Sequence, residues 1–461
     1  MRSIPISLLV ALGLIGCSSA PSNIAPSLPA APATFKEADR RWTVAVPAEA
    51  QPRGTWWKAF ADPVLDELVE RAGNSNTSIQ LAAARLEQAR AVLRSAEANR
   101  SPQANLNAGV TRQGGPLINA AGSDGTLINT SVSLSYEADL FGRLAKVTEA
   151  ALRDAQAREA LMQSTRLLVQ ADVAQTYFLL RALDRERAIV RGTVASYQEV
   201  LRLTERRFRA GLVADLDVER VRTEVAATES ELLTLSRRRA ELEHALAVLV
   251  GEVASSFSID ETEWTASLPV IPAGIPSTVL ARRPDVSAAQ RSMLAAQARL
   301  GAAQAAWFPS VALTAAGGYA SPELGDLFKM SMQAWVIGGL LALPLFDGGR
   351  REAAVKGATA ELEASLATYR EQILVAFRDV EDQLSSLRLL ADQTEIQNRA
   401  VASATRATML SGSRYRSGLA SQLDFLDARR TELRNQRQAS QVRSAQYQAT
   451  VGLVRALGGS W

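Results

Sequence analysis

Two aspartates near the C-terminal end of the chain, Asp424 and Asp427, stand three positions apart. On a helix, residues at this spacing share one face, so their carboxylates would point the same way. Like charges this close resist packing unless hydrogen bonds or cations neutralise them, and three-fold symmetry would turn them into two stacked carboxylate rings. Taken alone, the pair is better explained as part of a solvated helix face.

The side chains on which many enzymes depend are scarce in this sequence. His244 is the only histidine and Cys17 the only cysteine, so histidine or thiol catalysis and the common zinc arrangements lack their residues. His244 stands in a helical segment beside Glu243 and is interpreted as an ordinary surface residue. The sequence also has no phosphate-binding loop of the G-x-x-x-x-G-K type. It therefore predicts no enzyme, no metal site and no cofactor.

The start of the chain is typical of a bacterial secretory signal that ends at a lipid-modified cysteine. Arg2 precedes an apolar core over Ile6–Ile15, and Leu14-Ile15-Gly16-Cys17 resembles a lipobox. A signal peptide is predicted over 1–16 and an acylated tether, rich in alanine, proline and serine, over 17–54. Ser18, rather than an aspartate, then implies sorting to the outer membrane. The alternative is an ordinary signal peptide with a chance cysteine.

Length and composition fit a folded protein. The 461 residues are 47% apolar, enough for one large or two medium domains. A formal charge of +3 is small for this length, so the sequence predicts no nucleic-acid partner.

Landmarks of the first half recur in the second half at one fixed spacing. Each of the following pairs is separated by 207 positions: Pro102 and Pro309, Gly142-Arg143 and Gly349-Arg350, Gly211-Leu212 and Gly418-Leu419, Leu216-Asp217 and Leu423-Asp424, Gly251 and Gly458. The chain is therefore predicted to contain two copies of one structural unit, over 55–266 and 267–461.

Each copy is predicted to contain a β-hairpin, over 103–140 and 310–347. Residues alternate between apolar and polar in the first hairpin, and the last strand of the second is expected over Met332–Leu345. Runs of roughly 10 to 14 residues suit tilted strands that cross a bilayer. Aromatic residues gather at the strand ends, as in an interfacial belt. The alternative is a soluble sandwich with these aromatics in its core.

Helices flank each hairpin. Proline-free stretches over Arg143–Arg209 and Arg350–Arg416 each predict one helix of about 67 residues, or about 100 Å. Narrow apolar stripes predict coiled-coil packing. Four membrane strands would leave two unpaired edges in lipid, so copies of the chain must close a barrel, with eight strands in a dimer or twelve in a trimer.

These features resemble the TolC-like outer membrane factor family, in particular its lipoprotein (NodT/OprM-type) branch. The resemblance covers Thr55 to Trp461. It is carried by an ordered set of segments: Thr55-Trp56-Trp57-Lys58-Ala59-Phe60 with Asp62-Pro63, Tyr136-Glu137-Ala138-Asp139-Leu140-Phe141-Gly142-Arg143, Arg282-Arg283-Pro284-Asp285, Leu345-Phe346-Asp347-Gly348-Gly349-Arg350, and Ala456-Leu457-Gly458-Gly459-Ser460-Trp461.

The resemblance implies a mixed fold, with a long α-helical coiled-coil tunnel and four strands per chain in a trimeric 12-stranded β-barrel. It implies a homotrimer in outer-membrane lipids that extends into the periplasm. The partners would be a periplasmic adaptor (membrane fusion) protein and an inner-membrane resistance-nodulation-division (RND) transporter. The expected function is a passive gated duct of a tripartite efflux pump that exports small molecules.

The resemblance also assigns roles at the helical turns. Asp424 and Asp427 match aspartates that line the periplasmic constriction, which reverses the preference for a solvated face. Tyr415 matches a latch tyrosine, and Asp217 matches its acidic partner region. An arginine found in some members is Ala420 here, so an ion-pair latch would need Arg414, Arg416 or Arg220 instead.

Two other functions stay open at this point. A type I secretion duct would export polypeptides and pair with an ATP-driven exporter. A structural coiled-coil lipoprotein would span the periplasm without a pore.

Overall fold

The computed structural model describes residues 34–37, 54–114, 125–269, 271 and 282–459. Cys17, the predicted signal peptide and most of the predicted tether lie outside the described residues. The described chain falls into two compact units. One comprises 93–152 and 293–367, and the other holds the remaining described residues.

Apart from α1, the described parts of both halves contain the same series of elements. The elements of the first half are α1 (Pro63–Ser75), α2 (Thr77–Ala98), β1 (Gln103–Gln113), β2 (Gly125–Ala138), α3 (Arg143–Arg209) and α4 (Asp215–Leu249). Those of the second half are α5 (Pro284–Ala305), β3 (Ser310–Ser321), β4 (Gln333–Ala342), α6 (Arg350–Arg416) and α7 (Gln422–Ala456). The helices α3 and α6 have 67 residues each, and α4 and α7 have 35 each.

The four strands form one antiparallel sheet in the order β1-β2-β3-β4. Side chains alternate between the two faces along each strand. The register therefore places the even-numbered residues of β1 and β2 on the same face as the odd-numbered residues of β3 and β4. That face is mostly apolar and includes Leu106, Val110, Val132, Leu134, Leu313, Trp335 and Ile337. On β1 and β2 the opposite face carries amides and hydroxyls: Asn105, Asn107, Asn129, Ser131, Ser133 and Ser135. The sheet is therefore amphipathic across its first hairpin.

The fourth strand is shorter than predicted. The expected strand was Met332–Leu345, whereas β4 ends at Ala342. Ala342 pairs with Ser310, the first residue of β3, so the following residues have no partner on that strand. Pro344 could not donate to a ladder in any case, because it lacks an N–H group.

Among the described residues, every helix is either too short or too polar to cross a bilayer.

The largest core lies in the helical unit and contains the aromatic motif before α1. Trp56, Trp57 and Phe60 are buried there. Phe60 packs on Phe178 of α3 at 4.9 Å between ring centroids, and Phe178 packs on Tyr447 of α7 at 4.8 Å. The motif therefore anchors the start of the chain on the long helices.

Helix α1 was missed by the sequence interpretation. It begins after Asp62, whose side chain accepts hydrogen bonds from the N–H groups of Val64 and Leu65 at 3.0 and 3.2 Å. Pro63 occupies the first turn, where no N–H partner is needed. The other carboxylate oxygen of Asp62 accepts from the buried Tyr177 hydroxyl at 2.8 Å.

A second anchor is the buried guanidinium of Arg283, immediately before α5. It donates to Asp285 at 2.7 and 3.1 Å, to Asp379 of α6 at 3.2 Å and to the carbonyl of Ala456 at 3.3 Å. Arg283 thus joins the start of one helix, the middle of a second and the end of a third.

The described part of the predicted tether is docked on α6, although the sequence predicted little structure there. Phe35 is buried in the main core. The backbone N–H groups of Lys36 and Glu37 donate to the two carboxylate oxygens of Glu381 at 2.7 and 2.9 Å. Arg388 donates to the Glu37 side chain at 2.8 Å.

Candidate functional site

The predicted site residues surround the two turns that join the long helices. Gly211 and Gly418 have φ angles of 71° and 76°, a region that disfavours side chains. The next residue of each turn closes a six-residue loop. Leu212 N–H donates to the Arg207 carbonyl at 2.9 Å, and Leu419 N–H donates to the Arg414 carbonyl at 2.8 Å. Both turns therefore have the same Schellman geometry, which explains the repeated Gly-Leu pair.

The helices that follow the turns begin differently. Ser421 caps α7 by accepting from the Asp424 N–H at 3.1 Å, and Asp424 accepts from the Ser421 N–H at 3.1 Å. This reciprocal capping box stabilises the first turn. Helix α4 has Ala214 at the corresponding position, with no side-chain cap. Asp424 therefore has a local structural role in addition to its predicted role in the gate.

The charges on the first turns also differ between the copies. Asp217 forms an ion pair with Arg220 at 3.6 Å. At the same spacing in α7, Asp424 and Asp427 are both exposed and both acidic. The turn of the second copy therefore carries a negative face, whereas the first copy neutralises its own.

We expect loss of the cap to loosen only the second copy. Ser421→Ala should destabilise the first turn of α7 by about 1 kcal/mol, because one helix N–H group loses its partner. Hydrogen exchange of the amides of 422–424 should become about fivefold faster.

Ala214→Ser is the matched change in the first copy. It allows a new capping box with Asp217, so amide exchange in the first turn of α4 should become slower. Unchanged exchange after Ser421→Ala would show that the capping box does not hold this turn.

Tyr415 is buried in a small cluster that we call the tip cluster. Its members are Tyr197, Val200, Val221, Val225, Tyr415, Phe425 and Leu426. The ring of Tyr415 is nearly parallel to that of Phe425, with centroids 5.8 Å apart, and the guanidinium of Arg207 lies over the Tyr415 ring, 4.8 Å from its centroid. Its hydroxyl lies 3.4 Å from that of Thr204 on α3. Four helices of one chain therefore meet around this tyrosine.

The other predicted latch residues occupy separate places. The structure does not pair Tyr415 with Asp217, whose backbone carbonyl accepts from the Gln422 amide at 3.1 Å. Arg220 is engaged by Asp217. Arg414 and Arg416 are exposed and, within the described ranges, form no ion pair. Ala420 is half-buried and cannot form one.

Sequence reasoning missed the ion pairs that join α4 to α7. Arg430 donates to Glu224, with Nε at 3.0 Å, and one heptad further on Arg437 pairs with Glu231. Arg437 also donates to Glu186 of α3 at 2.6 Å. The seven-residue spacing of both acids and both arginines was visible in the sequence, but the pairing of these two helices was not.

The chain matches the family model described as "Outer membrane efflux protein" over residues 68–252 and 275–459, so that the second match begins 207 positions after the first. A pyoverdine export outer membrane protein, OpmQ, from Pseudomonas aeruginosa is 34% identical over 99% of this chain and 97% of its own length. Two proteins of Pseudomonas putida, the antibiotic efflux pump outer membrane protein ArpC and the toluene efflux pump outer membrane protein TtgC, are 32% and 31% identical over 97% of this chain and 93% of each relative.

Solved structures agree with this relationship. A membrane protein from Pseudomonas aeruginosa superposes with a TM-score of 0.86 at 30% identity, covering 96% of this chain and all of that one. The outer membrane protein VceC from Vibrio cholerae gives a TM-score of 0.83 at 29% identity, covering 89% of this chain and all of VceC. The fold, the two matched copies and the sequence identity agree, and the chain belongs to the outer membrane efflux protein family.

Proposed function

We propose that this protein is the outer-membrane duct of a tripartite efflux pump that exports small amphipathic compounds. The observation that carries the proposal is the four-stranded sheet, which is amphipathic across its first hairpin and in which, among the described strands, β1 and β4 each pair on one side only. An unpaired strand edge in lipid costs several kcal/mol per backbone group, so neighbouring copies would pair these edges. Three copies would give a 12-stranded barrel with the apolar face toward lipid.

The substrate class rests on the relatives. Their names refer to export of antibiotics, toluene and pyoverdine, and the covered lengths leave little of any of these proteins unmatched. We propose that the energy for transport comes from an inner-membrane RND transporter, reached through a periplasmic adaptor. The duct itself would conduct passively.

We also propose that the duct is gated at the two helical turns. Asp424 and Asp427 would form the constriction, since both carboxylates are exposed on the first turn of α7. The pair Arg430–Glu224 would serve as the latch that Ala420 cannot provide, because it joins the two helices directly beyond the turns. The tip cluster around Tyr415 would hold the same helices by packing. Arg416 and Arg220 are secondary latch candidates.

Acylation at Cys17 is proposed from the lipobox. Labelling with a clickable palmitate analogue should mark the wild-type protein, and Cys17→Ala should abolish the label. A label that survives this change would place the lipid elsewhere.

The proposal is tested by electrical recording of the acylated protein in planar bilayers. We expect heat-modifiable trimers on gels and discrete single-channel conductance. Absence of both would exclude a duct and favour a coiled-coil lipoprotein without a pore. A deletion strain should become more sensitive to lipophilic compounds, whereas loss of polypeptide secretion alone would indicate a type I secretion duct.

A further inference from the structure

A cavity of about 450 Å³ lies among α3, α4 and α7, directly beside the tip cluster. Its polar lining consists mainly of one tyrosine, two glutamates and three arginines: Tyr197, Glu224, Glu231, Arg430, Arg434 and Arg437. All of these residues belong to the helical unit. The roles described so far leave two of these groups, the hydroxyl of Tyr197 and the guanidinium of Arg434, without a function.

The hydroxyl of Tyr197 is buried and has no hydrogen-bond partner in the described structure. The side chain is 1% exposed, and its ring packs in the tip cluster. Leaving a buried hydroxyl without a hydrogen-bond partner is unfavourable, so such a group normally meets a ligand or water. Burial, reinforced by the charge of Glu224, raises the pKa of Tyr197 to about 12. The hydroxyl therefore stays protonated and available as a donor.

The charges around the cavity leave one guanidinium free. Arg430 is engaged by Glu224, and Arg437 is shared between Glu231 and Glu186. Arg434 lies between them on α7, lines the cavity and has no ion pair or hydrogen bond among the described residues. A guanidinium presents its donors in a planar fork that matches a carboxylate.

We propose that this cavity binds a small organic monocarboxylate. The carboxylate would accept hydrogen bonds from the Arg434 guanidinium and the Tyr197 hydroxyl. The side chains of Leu433 and Ala227, which also line the cavity, would contact an apolar body. A cation would face the unpaired arginine and a protonated hydroxyl, and a neutral ligand would gain no charge-assisted hydrogen bond from Arg434, whose side chain is exposed.

The test is a titration of the purified full-length protein in detergent with 4-fluorobenzoate, followed by ¹⁹F NMR line broadening. We expect saturable binding, and at least tenfold weaker binding of the neutral analogue 4-fluorobenzamide. Arg434→Gln and Tyr197→Phe should each weaken 4-fluorobenzoate binding about tenfold, since each removes one donor to the carboxylate. Arg434→Lys should retain part of the affinity, because it keeps the charge but not the fork.

The controls separate this site from general binding to arginines or apolar surface. Arg238→Gln removes an exposed arginine of α4 outside the cavity, and Tyr369→Phe removes the hydroxyl of a buried tyrosine of α6. Both should leave the affinity for 4-fluorobenzoate unchanged.

Tyr197→Phe should fold normally, because it removes a hydroxyl that the protein itself leaves unsatisfied. Equal binding of the amide, or affinities unchanged by both cavity variants, would overturn the proposal and assign the cavity to water alone. Because binding is measured without conductance, the result stands apart from the proposed duct.

Discussion

Replacing both Asp424 and Asp427 by asparagine should strongly weaken block of the channel by a trivalent cation such as La³⁺. In a trimer the two residues would present six carboxylates at the constriction, and their loss removes the attraction that holds the ion. We expect at least a hundredfold higher blocking concentration, equivalent to about 2.7 kcal/mol.

Asparagine is chosen for this test because of the capping box. An alanine at position 424 would remove the acceptor for the Ser421 N–H and fray α7, whereas the asparagine side chain retains an acceptor oxygen. Glu219→Gln is the matched control, since Glu219 is an exposed acid near the first turn that pairs locally with Arg222. Unchanged block in the double variant would place the constriction elsewhere on the chain.

Arg283→Met should produce the largest loss of stability of any single change considered. It leaves the carboxylates of Asp285 and Asp379 without their common partner, and breaking a buried ion pair from one side costs about 3–5 kcal/mol. The midpoint of thermal unfolding, followed by far-UV circular dichroism in detergent, should fall clearly.

The matched control for Arg283 is Arg378→Met. Arg378 is exposed and donates to the other oxygen of the same Asp379 at 2.9 Å. An exposed ion pair contributes little to stability, because water screens both charges. Equal losses from the two arginines would contradict the buried anchor.

The same anchor gives the wild-type protein a specific dependence on pH. Burial alone would raise the pKa of Asp285, but the hydrogen bond and charge of Arg283 outweigh it and hold that pKa below its ordinary value of 3.8. The stabilisation is therefore complete above pH 3.8 and is lost as the pH falls through the lower folded pKa. As the pH falls through this acidic range, the stability of Arg283→Met should therefore decrease less than that of the wild-type protein.

The long helices were predictable from the sequence because their boundaries carry local signals. Gly211 and Gly418 end one helix of each copy, and the 207-residue offset transfers each boundary to the other copy. Helix α1 was missed although Asp62 and Pro63 mark its start and Asn76, in an extended conformation, separates its 13 residues from α2. The short β4 reflects where its partner strand begins, which only the register reveals.

The site was predictable in part. The capping box of Ser421 and Asp424 was readable, since a serine followed three residues later by an acid precedes a helix. The partners of Arg430 and the free state of Arg434 depend on which helix packs against α7. A single sequence holds no signal for that choice, so the latch pair and the cavity emerged only from the structure.

The packing of α6 against the antiparallel α7 restricts how this protein can change by insertion or deletion. Removing one residue from α6 would rotate everything beyond it by about 100° and shift it by about 1.5 Å. Tyr415 would then turn away from Thr204 and Phe425. Changes of seven or eleven residues nearly preserve the facing residues, but they would need a matching change in the antiparallel partner helix. Single-residue length variation should therefore be confined to the hairpin loops, and the helices should gain or lose length only in paired, whole-repeat steps.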